Sequence, residues 1–430
     1  MIKHVAPALS LKGEITLPPD KSISQRAAIF SLLHEGVSEV GNYSAAQDPQ
    51  STLRCVQHLG AKVTENAGRL IIEGTGRKGI KTPDGDLDCG NSGTAMRLLS
   101  GVLAGAGVSA KLVGDESLCG RTMTRIINPL EEMGAHILAR NGAYAPLFIN
   151  RNDALKPLSF ELPIPSAQLK SCVLLAGLFG EEPTEVIETL PSRDHTERLL
   201  NLDQKITTDR KIITASLTDE IPNQSYIIPG DFSAAAFWLV AGAIQKDAEI
   251  LITNVGLNPT RNALLDILRD MGADVTIENE RMEGAEPAGD IIVKGSDLKA
   301  VEIDPKIIPN CIDELPILAV AMLFSEGTST ISGAEELRHK ETDRIMAMSK
   351  MLEAVGANFE EQEDGLIIHG DPEFTFKSAK FESFHDHRIA MASAVLSLKG
   401  EKTSQIKDAE SAAVSYPSFW GDIDQLRVES

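Results

Sequence analysis

The chain has 430 residues, 42% of them hydrophobic, and its 62 acidic residues outnumber its 41 basic ones to give a net charge of −21. That length supplies core for two or three domains, and that charge argues against nucleic acid and anionic membranes as partners. Apolar runs such as Cys172–Phe179 and Leu315–Phe324 fall well short of the ~20 residues of a membrane span. Met1–Ser10 carries no signal-peptide pattern, and Cys55, Cys89, Cys119, Cys172 and Cys311 are scattered without a Cys-x-x-Cys pair. Neither a disulfide framework nor a zinc site is suggested, and a reducing cytoplasm is the expected location.

In chain order, six short polar clusters each open into a small-residue apolar run of helical length. Asp20-Lys21-Ser22 precedes Ile23–Leu33, Gly90-Asn91-Ser92-Gly93 precedes Thr94–Ala104, and Ser166-Ala167-Gln168 precedes Leu169–Leu178. Gly230-Asp231-Phe232-Ser233 then precedes Ala234–Ile244, Asp313-Glu314 precedes Leu315–Phe324, and Asp386-His387-Arg388 precedes Ile389–Leu398. From Ser22 through Ser92, Ser166, Phe232 and Asp313 to His387 the steps are 70, 74, 66, 81 and 74 residues, the mark of an internal repeat. Between clusters, Leu59-Gly60-Ala61, Met133-Gly134-Ala135, Met271-Gly272-Ala273 and Val355-Gly356-Ala357 end amphipathic helices at a glycine, and alternating hairpin segments follow. The opening helices are apolar all round and must be buried on every side. Two domains of three units, with apolar helices inside and sheets outside, is the expected packing.

The basic residues matter because the chain as a whole is acidic. A helix N-terminus presents unpaired N–H groups and stabilises phosphate or carboxylate. Lys21 and Arg26, Arg97, and Arg388 stand at three such starts, joined by Ser22, Ser92, Thr94, Ser166 and Gln168. Ser, Thr and Asp before a helix are also ordinary caps, but a lysine there is opposed by the dipole and offers no cap. Further charge gathers at Gly120-Arg121 to Arg125, at Ser192-Arg193-Asp194-His195-Thr196-Glu197, and at Arg338 to Arg344. If the N-termini converge on a cleft between the domains, that cleft suits a small, multiply anionic substrate.

Leu17-Pro18-Pro19-Asp20-Lys21-Ser22-Ile23-Ser24-Gln25-Arg26, Gly90 to Thr94, Ser166-Ala167-Gln168, Lys340-Glu341-Thr342-Asp343-Arg344 and Asp386-His387-Arg388 resemble, in order, the signature segments of the 5-enolpyruvylshikimate-3-phosphate (EPSP) synthase family. The resemblance runs from Leu11 to Trp420. It implies an α/β (α+β) fold: a two-domain inside-out α/β barrel of six βαβαββ repeats, three per domain. One domain would hold residues 21–228 and the other residues 1–20 with 229–430, the active site lying in the interdomain cleft. The implied reaction moves the enolpyruvyl group of phosphoenolpyruvate to the 5-hydroxyl of shikimate 3-phosphate and releases phosphate through a tetrahedral intermediate.

By the same resemblance Lys21, Asp313 and Glu341 are the catalytic set. Shikimate 3-phosphate would meet Lys21, Ser22, Arg26, Ser166, Ala167, Gln168, Arg193, Asp313 and Lys340. Phosphoenolpyruvate would meet Lys21, Gly93, Arg121, Gln168, Arg344 and Arg388. Asp313 is favoured as base at the hydroxyl and Glu341 as acid at the methylene carbon. No metal or other cofactor is expected, and a cytoplasmic monomer acting on small molecules is. Ala167, Arg193 and Val414 depart from the best-known form of the family toward the branch that includes glyphosate-insensitive members, while Gly93 leaves room for that inhibitor. The alternatives are UDP-N-acetylglucosamine enolpyruvyl transferase, disfavoured by Lys21-Ser22 and by the Ser166 cluster, and a non-catalytic anion-binding scaffold.

Overall fold

The computed structural model describes residues 1–151, 154–222 and 225–428. The chain divides into two compact units, one of Met1–Pro18, Pro229–Arg281 and Pro287–Ser430, the other of Pro19–Ile228 and Met282–Glu286. The opening helices run Lys21–Leu33, Gly93–Ala106 and Ala167–Gly177 in the second unit, and Phe232–Ile244, Leu315–Leu323 and His387–Ser397 in the first. Asp20, Ser92, Ser166, Asp231 and Asp386 each accept a hydrogen bond from a backbone N–H two or three residues on, which fixes where those helices start. The helix at Leu315 instead follows Glu314, whose side chain makes no cap bond. Every residue of Phe232–Ile244, Leu315–Leu323 and His387–Ser397 is buried, as an all-round apolar surface demands.

Among the described residues six sheets result, three in each unit. The plan is plainest where Leu87–Asp88 and Ala110–Val113, before and after the helix Gly93–Ala106 in sequence, pair as parallel neighbours. The helix Thr124–Glu132 follows, and the hairpin His136–Arg140 with Tyr144–Asn150 completes the sheet antiparallel to Ala110–Val113. Ser159–Glu161, Thr184–Glu188, Gln204–Ile206 and Lys211–Ala215 repeat that βαβαββ order.

Sheet membership and chain order part at the crossings. Ser10–Thr16 leads straight into the helix Lys21–Leu33, yet it lies parallel to Glu249–Gly256 with Lys12 opposite Glu249. Val37–Gly41 takes its parallel partner from Ser225–Ile227, with Glu39 opposite Ser225. Ile2–Val5 pairs antiparallel with Ser404–Lys407, so the last repeat draws a strand from the N-terminus. Each unit has its own apolar core, one around Phe237, Trp238, Leu318 and Val395, the other around Ile29, Leu99, Leu103 and Val173.

One close approach places site residues directly. A Cβ on Gly101 would lie 2.2 Å from the carbonyl oxygen of Cys172, and one on Gly105 would lie 2.3 Å from the Phe179 ring. Glycine at these positions lets the helices Gly93–Ala106 and Ala167–Gly177 meet at backbone distance. Their N-termini then stand side by side, with Gln168 Nε2 donating to Thr94 Oγ1 at 2.8 Å and Arg97 Nη1 donating to Gln168 Oε1.

Candidate active site

In the unit of residues 19–228, three helix starts carry the basic and hydroxyl groups. Lys21 Nζ sits 3.1 Å from Asp48 Oδ2 in a partly buried ion pair. Arg26, four residues after Ser22 and so one turn further along the same face, is 2% exposed. Its Nε donates to Thr196 Oγ1 at 2.8 Å, Nη2 to Ser171 Oγ at 3.1 Å and Nη1 to the Ser22 carbonyl at 3.1 Å. Burial pushes this guanidinium down to about 10, while Glu197 and Asp20 act in the opposite direction; the charge of Arg193 is felt there as well.

The segment bearing Arg193 is held from beneath. Lys170, fully buried, donates to Glu197 at 2.7 Å, to Glu188 at 2.9 Å and to the Ser192 carbonyl at 3.3 Å. Glu188 in turn accepts from the Ser192 backbone N–H at 3.2 Å and from its hydroxyl. A buried ammonium with this many partners is fully compensated, and it ties the loop ahead of His195–Leu199 to the helix that starts at Ala167. Arg121 is clamped against the 90–93 loop, with Nη2 donating to Asn91 Oδ1 at 2.7 Å and to Ser117 Oγ at 3.1 Å. A methyl on Gly93 would meet Arg97 Nη1 first, at 2.8 Å, and Arg121 Nη1 at 3.7 Å. The space beside Gly93 is therefore bounded by guanidinium groups.

The other unit concentrates acids around two arginines. Arg344, at the first position of the helix Arg344–Val355 and 1% exposed, binds Asp386 Oδ2 through Nε at 2.8 Å. Its Nη2 binds Glu341 Oε2 at 2.6 Å and its Nη1 binds Asp313 Oδ1 at 3.3 Å. Burial alone would lower its pKa, but Asp386, Glu341 and Asp313 together raise it, so its charge is permanent. Arg388 donates through Nη1 to the Asp313 carbonyl at 2.9 Å and brings Nη2 to 3.7 Å from Asp313 Oδ2. Lys340 lies 3.9 Å from Glu336; burial pushes its ammonium below 10.5, against the pull of Asp313 and Glu336.

The structure thus gathers Asp313, Glu341, Arg344 and Arg388 into one cluster with Lys340 beside it, and gathers Lys21, Arg26, Gly93, Gln168 and Arg193 around the helix starts of the other unit. The motifs had assigned no role to Asp48, Lys170, Ser171, Thr196 or Asp386. Asp386 carried a signal of its own, an acid one residue before a helix; the others are paired only by the fold. Among the described residues no group of three or more His, Cys, Asp or Glu is arranged to hold a metal ion.

The sequence matches the family described as EPSP synthase (3-phosphoshikimate 1-carboxyvinyltransferase) over residues 5–423. It is 50% identical over 432 aligned positions, covering 100% of both chains, to the 3-phosphoshikimate 1-carboxyvinyltransferase of Salinibacter ruber. Among solved structures, the EPSP synthase of Acinetobacter baumannii superposes with a TM-score of 0.87 at 38% identity, covering 99% of this chain and 98% of that one. The enolpyruvyl transferase NikO of Streptomyces tendae shares the fold, with a TM-score of 0.75 at 14% identity over 99% of this chain and 97% of that one.

Proposed function

This chain belongs to the EPSP synthase family, it is a transferase acting as a 3-phosphoshikimate 1-carboxyvinyltransferase, and from that premise we propose how its residues carry the reaction. The enolpyruvyl group of phosphoenolpyruvate is transferred to shikimate 3-phosphate. Both substrates combine a phosphate with a carboxylate, and the chain meets them with two sets of cations.

Lys21, Ser22, Arg26, Ser166, Ala167 with its backbone N–H, Gln168 and Arg193 bind shikimate 3-phosphate, together with Asp313 and Lys340. Lys21, Gly93, Arg121, Gln168, Arg344 and Arg388 bind phosphoenolpyruvate. The fork of a guanidinium suits the paired oxygens of carboxylate and phosphate. Asp313 takes the proton of the 5-hydroxyl as it attacks, and Glu341 delivers a proton to the methylene carbon. This gives a tetrahedral intermediate, from which phosphate leaves as the proton movements reverse. Lys21 stabilises the charge that develops on the departing phosphate.

The observation that supports this reading best is Arg344, which spans Glu341 at 2.6 Å and Asp313 at 3.3 Å. One buried cation thus holds both proposed proton-transfer groups within one cluster. A cytoplasmic monomer is part of the proposal, supported by five free cysteines among the described residues; no described helix is long and apolar enough to cross a membrane. The test is phosphate release with both substrates present. Release is expected only when the two are supplied together, and release from phosphoenolpyruvate alone, at the same rate, contradicts the scheme.

A further inference from the structure

The two arginines of the acidic cluster are held alike. Arg344 has a fully buried partner, Asp386, and more accessible ones in Glu341 and Asp313, whose side chains are 0%, 24% and 17% exposed. Arg388 has Asp313 on its accessible side, and its Nη1 lies 3.7 Å from Oε1 of Glu314, whose side chain is 0% exposed. Nothing in the proton transfers uses Glu314, and it does not cap the helix that follows it. A carboxylate is costly to bury unless it is paired and hydrogen-bonded. Here Ser233 Oγ donates to Glu314 Oε1, and Arg261 Nη2 anchors that serine, donating to Ser233 Oγ at 3.1 Å and to Asp231 Oδ1 at 2.9 Å. The start of one buried helix, Phe232–Ile244, thereby steers a carboxylate at the start of another, Leu315–Leu323.

We propose that Glu314 is a positioning residue for Arg388. Its buried carboxylate, set by Ser233, holds the Nη1 edge of the guanidinium, so that the remaining N–H groups keep one orientation toward phosphoenolpyruvate. This rests on the reading of Arg388 as a phosphoenolpyruvate-binding residue. An arginine stem has many rotamers, and a carboxylate fixed in place beside it narrows that freedom before the substrate arrives. Asp386 does the same for Arg344. Without Glu314, Arg388 keeps, among the described residues, Asp313 alone as a charged partner, and the substrate then competes with Asp313 for the guanidinium.

The test is steady-state kinetics of Glu314→Gln, which keeps shape and loses charge, and of Ser233→Ala, which keeps both charges and loses the steering hydroxyl. Replacing the partners that orient metal-ligating side chains typically costs ~10–100-fold, and an arginine oriented in the same way is expected to respond on that scale. The KM for phosphoenolpyruvate is expected to rise about tenfold or more in Glu314→Gln, and in the same direction, by less, in Ser233→Ala. The KM for shikimate 3-phosphate and the thermal midpoint should stay near those of the parent. In an Arg388→Lys background, Glu314→Gln should add little, because residues acting through one another are not additive. If Arg388→Lys raises the phosphoenolpyruvate KM while the folded Glu314→Gln and Ser233→Ala do not, Glu314 has no positioning role and the reading of Arg388 stands. A fall in kcat with both KM values unchanged in Glu314→Gln also overturns the inference. If Arg388→Lys itself leaves that KM unchanged, the reading of Arg388 has failed and the role of Glu314 falls with it. Should Glu314→Gln fail to fold, Ser233→Ala decides.

Discussion

Glu341, the proposed proton donor, reaches Arg344 at 2.6 Å with about a quarter of its side chain exposed. Glu341→Gln keeps the hydrogen bond and removes the proton transfer. Turnover is expected to fall about 100-fold or more, while calorimetry finds shikimate 3-phosphate binding unchanged; near-normal turnover removes Glu341 from the mechanism. Lys340 gives a pH test. Burial lowers its pKa from 10.5, Asp313 and Glu336 opposing. A lysine with a lower pKa in the folded state binds fewer protons folded than unfolded, so its contribution to stability rises with pH through the window below 10.5. The charge proposed to meet shikimate 3-phosphate is lost in that same window. The alkaline limb of kcat/KM is therefore expected below 10.5 and should move upward in Lys340→Arg, whose guanidinium does not titrate there. A limb that stays in place assigns it to another group.

Among the elements, the contact between the helices Gly93–Ala106 and Ala167–Gly177 bears most directly on the site. Because a Cβ on Gly101 would stand 2.2 Å from the Cys172 carbonyl oxygen, Gly101→Ala must push two backbones apart. Overpacking of this kind costs about 1–3 kcal/mol, to be read as a lower urea midpoint at unchanged slope. The same displacement separates Thr94 and Arg97 from Gln168, so binding of shikimate 3-phosphate should weaken in parallel. An unchanged midpoint would show that the helices can part without penalty.

For the molecule as a whole, the decisive feature is that each unit closes its own core, and one of them is nearly continuous in sequence. Residues 19–228 contain three repeats, the parallel partner strand Ser225–Ile227, and every proposed shikimate 3-phosphate ligand except Asp313 and Lys340. Expressed alone, that segment is expected to unfold cooperatively in urea. Its midpoint should lie below that of the full chain, because it lacks Glu286, which holds His195 Nδ1 at 2.8 Å. It should bind shikimate 3-phosphate weakly and turn nothing over. A segment with no cooperative transition, followed by circular dichroism, would show that the unit does not fold by itself.

The repeat, the six buried helices and their starts were legible in the sequence because each is set locally. Asp20, Ser92, Ser166 and Asp386 cap within three residues, and an all-apolar run such as Phe232–Ile244 has nowhere to go but inside. The segments carrying Lys21, Gln168, Glu341, Arg344 and Arg388 were legible for the same reason, since each is contiguous. What stayed hidden were the partners. Asp48 comes to Lys21 from 27 residues away, Ser233 to Glu314 from 81, and Thr196 to Arg26 from 170. Ser10–Thr16 joins Glu249–Gly256 across still more chain. No pattern of a few residues records such pairings. They follow from how the helices and sheets share two cores, and that packing brought Asp313 and Asp386 to Arg344 and Glu314 to Arg388.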